Sequence, residues 1–143
     1  MKVVINCCYG GFGLSTFAYK ELLKRKGKEC YFYNAEWGVG YTRIDDDPDN
    51  RNKYFLVTVS TKDYGKFTEK IDNEHHVYYD GEDIRTDSDL IAMIEEFGSE
   101  KCSERYAKLE IVDVPSGAYY RIDEYDGYES IEYRDEIDWL IAE

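Results

Sequence analysis

The stretch from Val3 to Ser15, which reads VVINCCYGGFGLS, decides how the fold begins. A short apolar run leads into a glycine-rich loop, and helix-type spacing starts directly after it. Glycine permits positive φ angles and a close approach of a ligand to the main chain. Ser15 is placed to cap the helix, whose exposed N–H groups and dipole favour an anion. The stretch therefore predicts a phosphate or nucleotide site. A tight turn that needs glycine is the alternative explanation of the same residues. The spacing matches neither G-x-G-x-x-G nor G-x-x-x-x-G-K-[ST], the two standard nucleotide-binding patterns.

Composition limits the class of protein. The chain has 143 residues, which predicts a single domain over 1–143 with a sizeable core. Its net charge is −13, so nucleic acids and anionic membranes, which are polyanions, are not expected partners. The charge instead suits docking on a basic protein, or it serves only solubility. The 15 tyrosines supply apolar area with a polar handle, which suits wet interfaces and ligand walls.

The cysteines indicate a reducing compartment. They form no C-x-x-C pair, and the sequence shows neither a secretory leader nor an apolar stretch of membrane-spanning length. We therefore expect a cytoplasmic protein with free thiols. We also expect no cofactor and no metal. The cysteines are Cys7, Cys8, Cys30 and Cys102.

Hydrophobic periodicity predicts an α+β fold with a mixed sheet, an N-terminal β-α-β unit, two main helices and a C-terminal β-hairpin. The two strands of a β-α-β unit usually lie parallel in one sheet. The tail Glu136–Ala142 is predicted as a short helix or a docking segment. The other predicted elements are strands at Lys2–Asn6, Glu29–Asn34, Tyr54–Ser60 and Leu109–Val114, helices at Ser15–Lys26 and Thr86–Phe97, and a hairpin of Tyr119–Tyr125 and Tyr128–Tyr133.

Two parts of the chain resemble a family of small acidic proteins common in tailed phages and prophages. The first is MKVVIN with GGFGLS near the N-terminus, and the second includes RTDSDLI at 85–91, AKLEIVDVP at 107–115 and EYDGYE at 124–129. Family members often carry the pattern N-(R/K)-C-(F/Y)-G-G-F-G-L-S, and here Cys7 stands at the basic position. The resemblance implies a phage protein that works in the host cytoplasm, and it implies little chemistry.

The candidate ligand site combines the glycine block with Arg85. Arg85 precedes a predicted helix start, where a phosphate would meet both a guanidinium and helix N–H groups. A surface pair of Arg85 with Asp87 explains the same residue equally well. Loop aromatics would stack a base, and packing within the fold is the alternative for each ring. The predicted ligand-binding residues are Asn6, Tyr9, Gly10, Gly11, Phe12, Gly13, Leu14, Ser15, Arg85 and Tyr125.

Few residues have catalytic or metal-binding potential. Cys8 with His75 or His76 has the residue types of a nucleophile and its base, although packing is the more typical role of such a cysteine. Adjacent histidines on a strand face opposite ways, so a metal site would need distant partners. The acidic run Asp45–Asn50 lacks the spacing of a calcium loop and is typical of a solvated loop. We therefore expect no catalytic or metal-binding residues.

These features predict a non-catalytic phage counter-defence protein that sequesters a nucleotide-type small molecule, such as a cyclic-nucleotide or ADP-ribose-like immune signal. In this hypothesis the glycine loop holds phosphate, aromatic rings stack the base, and a homo-oligomer builds pockets between subunits. The alternative is an acidic inhibitor that docks on a basic host defence enzyme. A third hypothesis is a small enzyme that uses Cys7 or Cys8.

Overall fold

The computed structural model describes residues 1–50, 52–54, 56–79 and 81–134. It confirms the α+β class and the C-terminal hairpin. The contacts divide the chain into two compact units, of which the first contains Met1–Ser15 and 81–134 and the second is Thr16–Tyr79. The single domain expected from the length stays a prediction, which one cooperative unfolding transition of both units would support.

Within the residues that the structure describes, one helix follows the first strand, five strands come next, and the remaining helices precede the last three strands. The helices are α1 (Thr16–Arg25), α2 (Ser88–Phe97) and the short α3 (Ser99–Cys102), and a 3-10 turn spans Asp83–Thr86. The strands are β1 (Lys2–Asn6), β2 (Tyr31–Glu36), β3 (Gly40–Arg43), β4 (Val57–Ser60), β5 (Phe67–Thr68), β6 (His76–Val77), β7 (Leu109–Asp113), β8 (Tyr120–Tyr125) and β9 (Tyr128–Tyr133).

The first unit contains two antiparallel strand pairs, β1 with β7 and β8 with β9. The β8–β9 hairpin turns at Asp126 and Gly127, whose φ angles of 50° and 88° match the two-residue turn that this dipeptide predicts. Side chains of the hairpin pack on a core formed by Val3, Ile5 and Val114. The hairpin residues in that contact are Tyr120, Ile122, Ile131 and Tyr133.

Helix α2 covers β1 in the same unit. Its buried residues Leu90, Met93 and Ile94 follow the three-to-four-residue spacing of one helix face. The side chain of Asp87 accepts a 3.0 Å hydrogen bond from the Leu90 N–H and so caps the helix. Gly98, with a φ of 90°, ends it.

The second unit contains a five-stranded antiparallel sheet in the order β5-β3-β2-β4-β6. Helix α1 buries Ala18, Leu22 and Leu23 on one face. Tyr33 on the central strand β2 is fully buried, and its hydroxyl donates to the carbonyl of Gly65 at 3.1 Å and accepts from the N–H of Tyr64 at 2.8 Å. A buried tyrosine therefore has a complete set of partners at the centre of this unit.

The structure differs from the sequence-based expectation in how the first strands pair. Strands β1 and β2 flank α1 along the chain, but they belong to different sheets, and every strand pairing among the described residues is antiparallel. Sequence order alone does not specify a strand's partner, and β7 supplies a longer-range one. Strand β3 lies in a part of the chain for which no strand was predicted, and the predicted tail at 136–142 lies outside the described residues.

Asp63 is expected to stabilise the second unit in a pH-dependent way. The Gly65 N–H and the Arg43 guanidinium, each 2.8 Å from its carboxylate, hold the pKa of Asp63 below its ordinary value of 3.8. A lowered pKa in the folded state gives stability that is present above pH 3.8 and is lost as pH falls through the folded value.

We expect Asp63→Asn to lower the unfolding midpoint at neutral pH, and we expect the difference from wild type to shrink below pH 4. Urea unfolding across a pH series measures it, with the exposed Glu69→Gln as the control variant. A constant difference at every pH would contradict this role.

Candidate functional site

A buried ion pair lies at the centre of the predicted site region. Both terminal nitrogens of the Arg85 guanidinium bind the Glu129 carboxylate, with Nη2 to Oε2 at 2.9 Å and Nη1 to Oε1 as the second contact. Arg85 is 6% exposed and Glu129 is 5% exposed. The ring of Phe12 covers the guanidinium, with its centroid 3.7 Å from Cζ. This bidentate and stacked geometry is one that arginine, and not lysine, provides.

Asn6 connects the same pair to three loops. Its backbone N–H donates to Glu129 Oε1 at 2.8 Å. Its side-chain amide donates to the carbonyls of Cys8 at 2.6 Å and Gly127 at 2.8 Å, and its Oδ1 accepts from the Lys108 N–H at 2.9 Å. Asn6 is fully buried, so these bonds satisfy polar groups that water does not reach. We call Asn6, Arg85 and Glu129 the polar clamp.

The glycines of the N-terminal block allow loops of the first unit to touch. A Cβ atom on Gly10 would overlap the backbone of Tyr106, and one on Gly127 would lie 2.5 Å from the Tyr9 carbonyl oxygen. Gly11 has a φ of 87°, which side-chain-bearing residues rarely adopt. The geometry therefore gives this block a structural reason to contain glycine that needs no ligand.

Three tyrosines stand exposed around this region. Tyr9 is 66% exposed, Tyr125 is 79% exposed and Tyr128 is 40% exposed. The rings of Tyr9 and Tyr128 have centroids 5.3 Å apart, and Tyr125 is the cross-strand partner of Tyr128 at the hairpin turn. Exposed carboxylates occupy the same hairpin end, at Asp123 and Asp126. We call these five residues the tyrosine face.

The structure places the predicted ligand residues in three settings. Asn6, Phe12 and Arg85 form or cover the polar clamp, and Tyr9 and Tyr125 are exposed. The remaining five line the connection from β1 to α1, where Leu14 is buried and the Ser15 hydroxyl donates to the Lys101 carbonyl at 2.7 Å. These five are Gly10, Gly11, Gly13, Leu14 and Ser15. Their role in ligand binding stays a prediction.

Arg85 was expected either to bind phosphate or to form a surface pair with Asp87, and the structure gives both residues other partners. Arg85 pairs with Glu129, whereas Asp87 caps α2. Glu129 was missed because it lies 44 residues from Arg85 along the chain. One signal was available: Glu129 alternates with Ile131 and Tyr133 on the inward side of β9, and a charged residue at a core position needs a buried partner.

The thiol of Cys7 is poorly suited to attack a substrate. Burial, and then the neighbouring carboxylate of Glu110, raise its pKa, although the hydroxyl of Tyr128 hydrogen-bonds to it. A raised pKa leaves the thiol protonated at neutral pH, and the thiolate is the nucleophile. His75 and His76 belong to the second unit, where His75 Nε2 lies 3.4 Å from a Glu74 carboxylate oxygen. Within the described ranges, no group of three or more potential ligands is arranged to hold a metal ion.

Comparisons with known proteins leave the site to be interpreted from its own geometry. No family model matches the chain, and no curated protein and no solved structure is significantly similar to it. The resemblance to small acidic phage proteins therefore stays a prediction. None of the helices in the described parts of the chain has the length and apolar character needed to cross a membrane.

Breaking the polar clamp on one side should destabilise the first unit strongly. In Glu129→Gln the buried Arg85 guanidinium keeps its charge and loses the carboxylate, which typically costs about 3–5 kcal/mol. Chemical unfolding measures the change, and Glu124→Gln, at the exposed cross-strand position, is the matched control.

The double variant Arg85→Met with Glu129→Leu removes both charges and should recover most of that loss, because apolar replacement of a whole buried pair is often neutral or stabilising. If Glu129→Gln unfolds at the same denaturant concentration as Glu124→Gln, the clamp does not have this role.

Two cysteines should react slowly with alkylating agents. Burial raises the pKa of Cys30 to about 11, and the pKa of Cys7 is raised as well. We expect iodoacetamide to label both more slowly than the unfolded chain at neutral pH, with the rate at Cys30 still rising toward pH 11. Peptide mass spectrometry over time measures each site. Rapid labelling of Cys7 near neutral pH would revive the hypothesis of a cysteine enzyme.

Proposed function

We propose that this chain is a non-catalytic binding protein that docks on a basic protein through the tyrosine face. The observation that carries the proposal is the exposure of three neighbouring tyrosines among carboxylates at one end of the hairpin. Tyrosine is enriched at the centres of protein interfaces, where its ring buries area and its hydroxyl finds a partner. In the phage setting that the resemblance implies, the partner is a host defence protein.

Electrostatics supports a positively charged partner. The whole chain carries a charge of −13, which attracts a basic surface over several ångströms and raises the association rate at low salt. At the tyrosine face itself, arginine side chains of a partner would stack on the rings and pair with Asp123 or Asp126. Aromatic rings among carboxylates suit guanidinium groups in particular, because arginine is both planar and cationic.

Sequestration of a nucleotide-type molecule is the second candidate. The paired rings of Tyr9 and Tyr128, next to the glycine block, favour it because a base stacks well on exposed aromatic rings. Two of the groups that this hypothesis assigns to phosphate already have partners, since Arg85 binds Glu129 and the Ser15 N–H donates to the Cys102 carbonyl at 2.9 Å. A phosphate at Arg85 would have to compete with a buried bidentate carboxylate, so the geometry favours the basic protein.

The test compares two exposed ends of one hairpin. A fluorescently labelled arginine-rich peptide serves as the basic probe. Its affinity is measured for the wild type, for the double variant with Tyr9→Ala and Tyr125→Ala, and for the control variant Tyr119→Ala. Tyr119 is 72% exposed and precedes β8, so it matches Tyr125 in chemistry and exposure. We expect the double variant to bind at least about tenfold more weakly, and Tyr119→Ala to bind like wild type.

Salt dependence and a nucleotide panel separate the two candidates. Docking through exposed carboxylates should weaken as ionic strength rises, because salt screens exposed charges. Calorimetry with cyclic nucleotides and ADP-ribose tests the other candidate. Equal loss of peptide affinity in Tyr119→Ala would contradict the tyrosine face, and tight nucleotide binding that is insensitive to salt would favour sequestration.

A further inference from the structure

The tip of the β2–β3 hairpin carries an exposed tryptophan. Trp37 is fully exposed and is followed by Gly38, with a φ of 75°, and by Val39, which is 57% exposed. The hairpin closes with the Val39 N–H donating to the Glu36 carbonyl at 3.1 Å. An indole is among the largest apolar groups in a protein and dominates many interfaces when it is buried. Its complete exposure on a closed turn leaves it available to enter a cavity elsewhere.

The same unit contains a cavity of about 450 Å³ between α1, β2 and the loop after β3. Its volume lies within the range of roughly 300–1,000 Å³ that small-molecule-sized groups occupy. Its wall is largely apolar, and the polar groups come from Thr16, Lys20, Arg43, Asp45 and Asp46. The apolar wall residues are Phe17, Tyr31, Phe32, Ile44 and Pro48.

We propose that the occupant of this cavity is Trp37 of a second copy of the chain. Each copy presents both the Trp37 indole and this cavity, so a reciprocal exchange closes a symmetric dimer. The buried indole N–H needs an acceptor, and the carboxylates of Asp45 and Asp46 at the cavity supply one. The proposal is independent of the tyrosine face, which belongs to the other unit.

Charge complementarity favours Trp37 of a second copy, rather than a group from another molecule, as the occupant of the cavity. Lys20 lies on α1 and forms no ion pair within the described parts of the chain. Glu36 immediately precedes Trp37 and is exposed. When the indole enters the cavity, Glu36 arrives at its edge together with it, and Lys20 of the receiving copy provides the opposite charge.

Analytical ultracentrifugation over a dilution series tests the dimer. We expect wild type to dimerise reversibly, and Trp37→Ala to raise the dimer dissociation constant at least about thirtyfold, as for a central interface tryptophan. Tyr78→Ala, which removes another exposed aromatic ring of the same unit, should leave it unchanged. Each copy has a net charge of −13, so two copies repel each other, and added salt should strengthen the wild-type dimer by screening that repulsion. Added salt should instead weaken docking on a basic probe.

A charge exchange tests the geometry of the contact. Lys20→Glu and Glu36→Lys should each weaken the dimer. The double variant should restore it, because it keeps one ion pair at the contact with the two charges exchanged between the positions. The sequence has two tryptophans, so the Trp139→Phe variant leaves Trp37 as the source of indole fluorescence. That fluorescence should shift to shorter wavelength as the dimer forms, because the indole leaves water.

Three results would overturn the proposal. They are a monomeric wild type at every concentration, a dimer that Trp37→Ala leaves intact, and a double charge variant that dimerises no better than the single variants. Because the Trp37 side chain is fully exposed, its removal leaves the folded monomer undisturbed, and circular dichroism of each variant checks this.

Discussion

The buried pair of Arg85 and Glu129 is the interaction on which the first unit depends. Taking two charges out of water is costly, and the cost is offset only when every donor and acceptor is matched. Here the guanidinium binds both carboxylate oxygens and lies under Phe12, while the carboxylate also accepts the Asn6 N–H. Few arrangements of the chain satisfy all of these groups, so the pair selects one arrangement of β1, the 3-10 turn and β9.

The glycine block is explained by the same constraint. Asn6 binds the carbonyls of Cys8 and Gly127, which draws the loop after β1 against the hairpin turn. This approach leaves no room for a Cβ atom at Gly127, and the backbone of Tyr106 leaves none at Gly10. A pattern that resembles a phosphate cradle in the sequence is therefore accounted for by contacts within the protein, and our proposal places recognition at the exposed rings of Tyr9, Tyr125 and Tyr128 instead.

Local signals predicted local structure well. The apolar run at Lys2–Asn6, the stop at Gly98 and the turn at Asp126 and Gly127 each rest on neighbouring residues, and each was placed correctly. The partner of β1 and the partner of Arg85 depend on contacts across 44 to 111 residues, which periodicity does not encode. The cavity near Lys20 was missed for the same reason, because its wall comes from separate elements.

The pairing of β1 with β7 has a consequence for how the protein is made. Strand β1 ends at Asn6 and its partner begins at Leu109, opposite that residue. At typical synthesis rates of about 5–20 residues per second, the apolar Val3-Val4-Ile5 segment spends roughly 5–20 seconds without the strand that covers its edge. During that interval it offers an unpaired edge to other nascent chains. We therefore expect the expression yield to depend on translation speed and on chaperones that shield the first strand, even though the finished fold buries Val3 and Val4 completely.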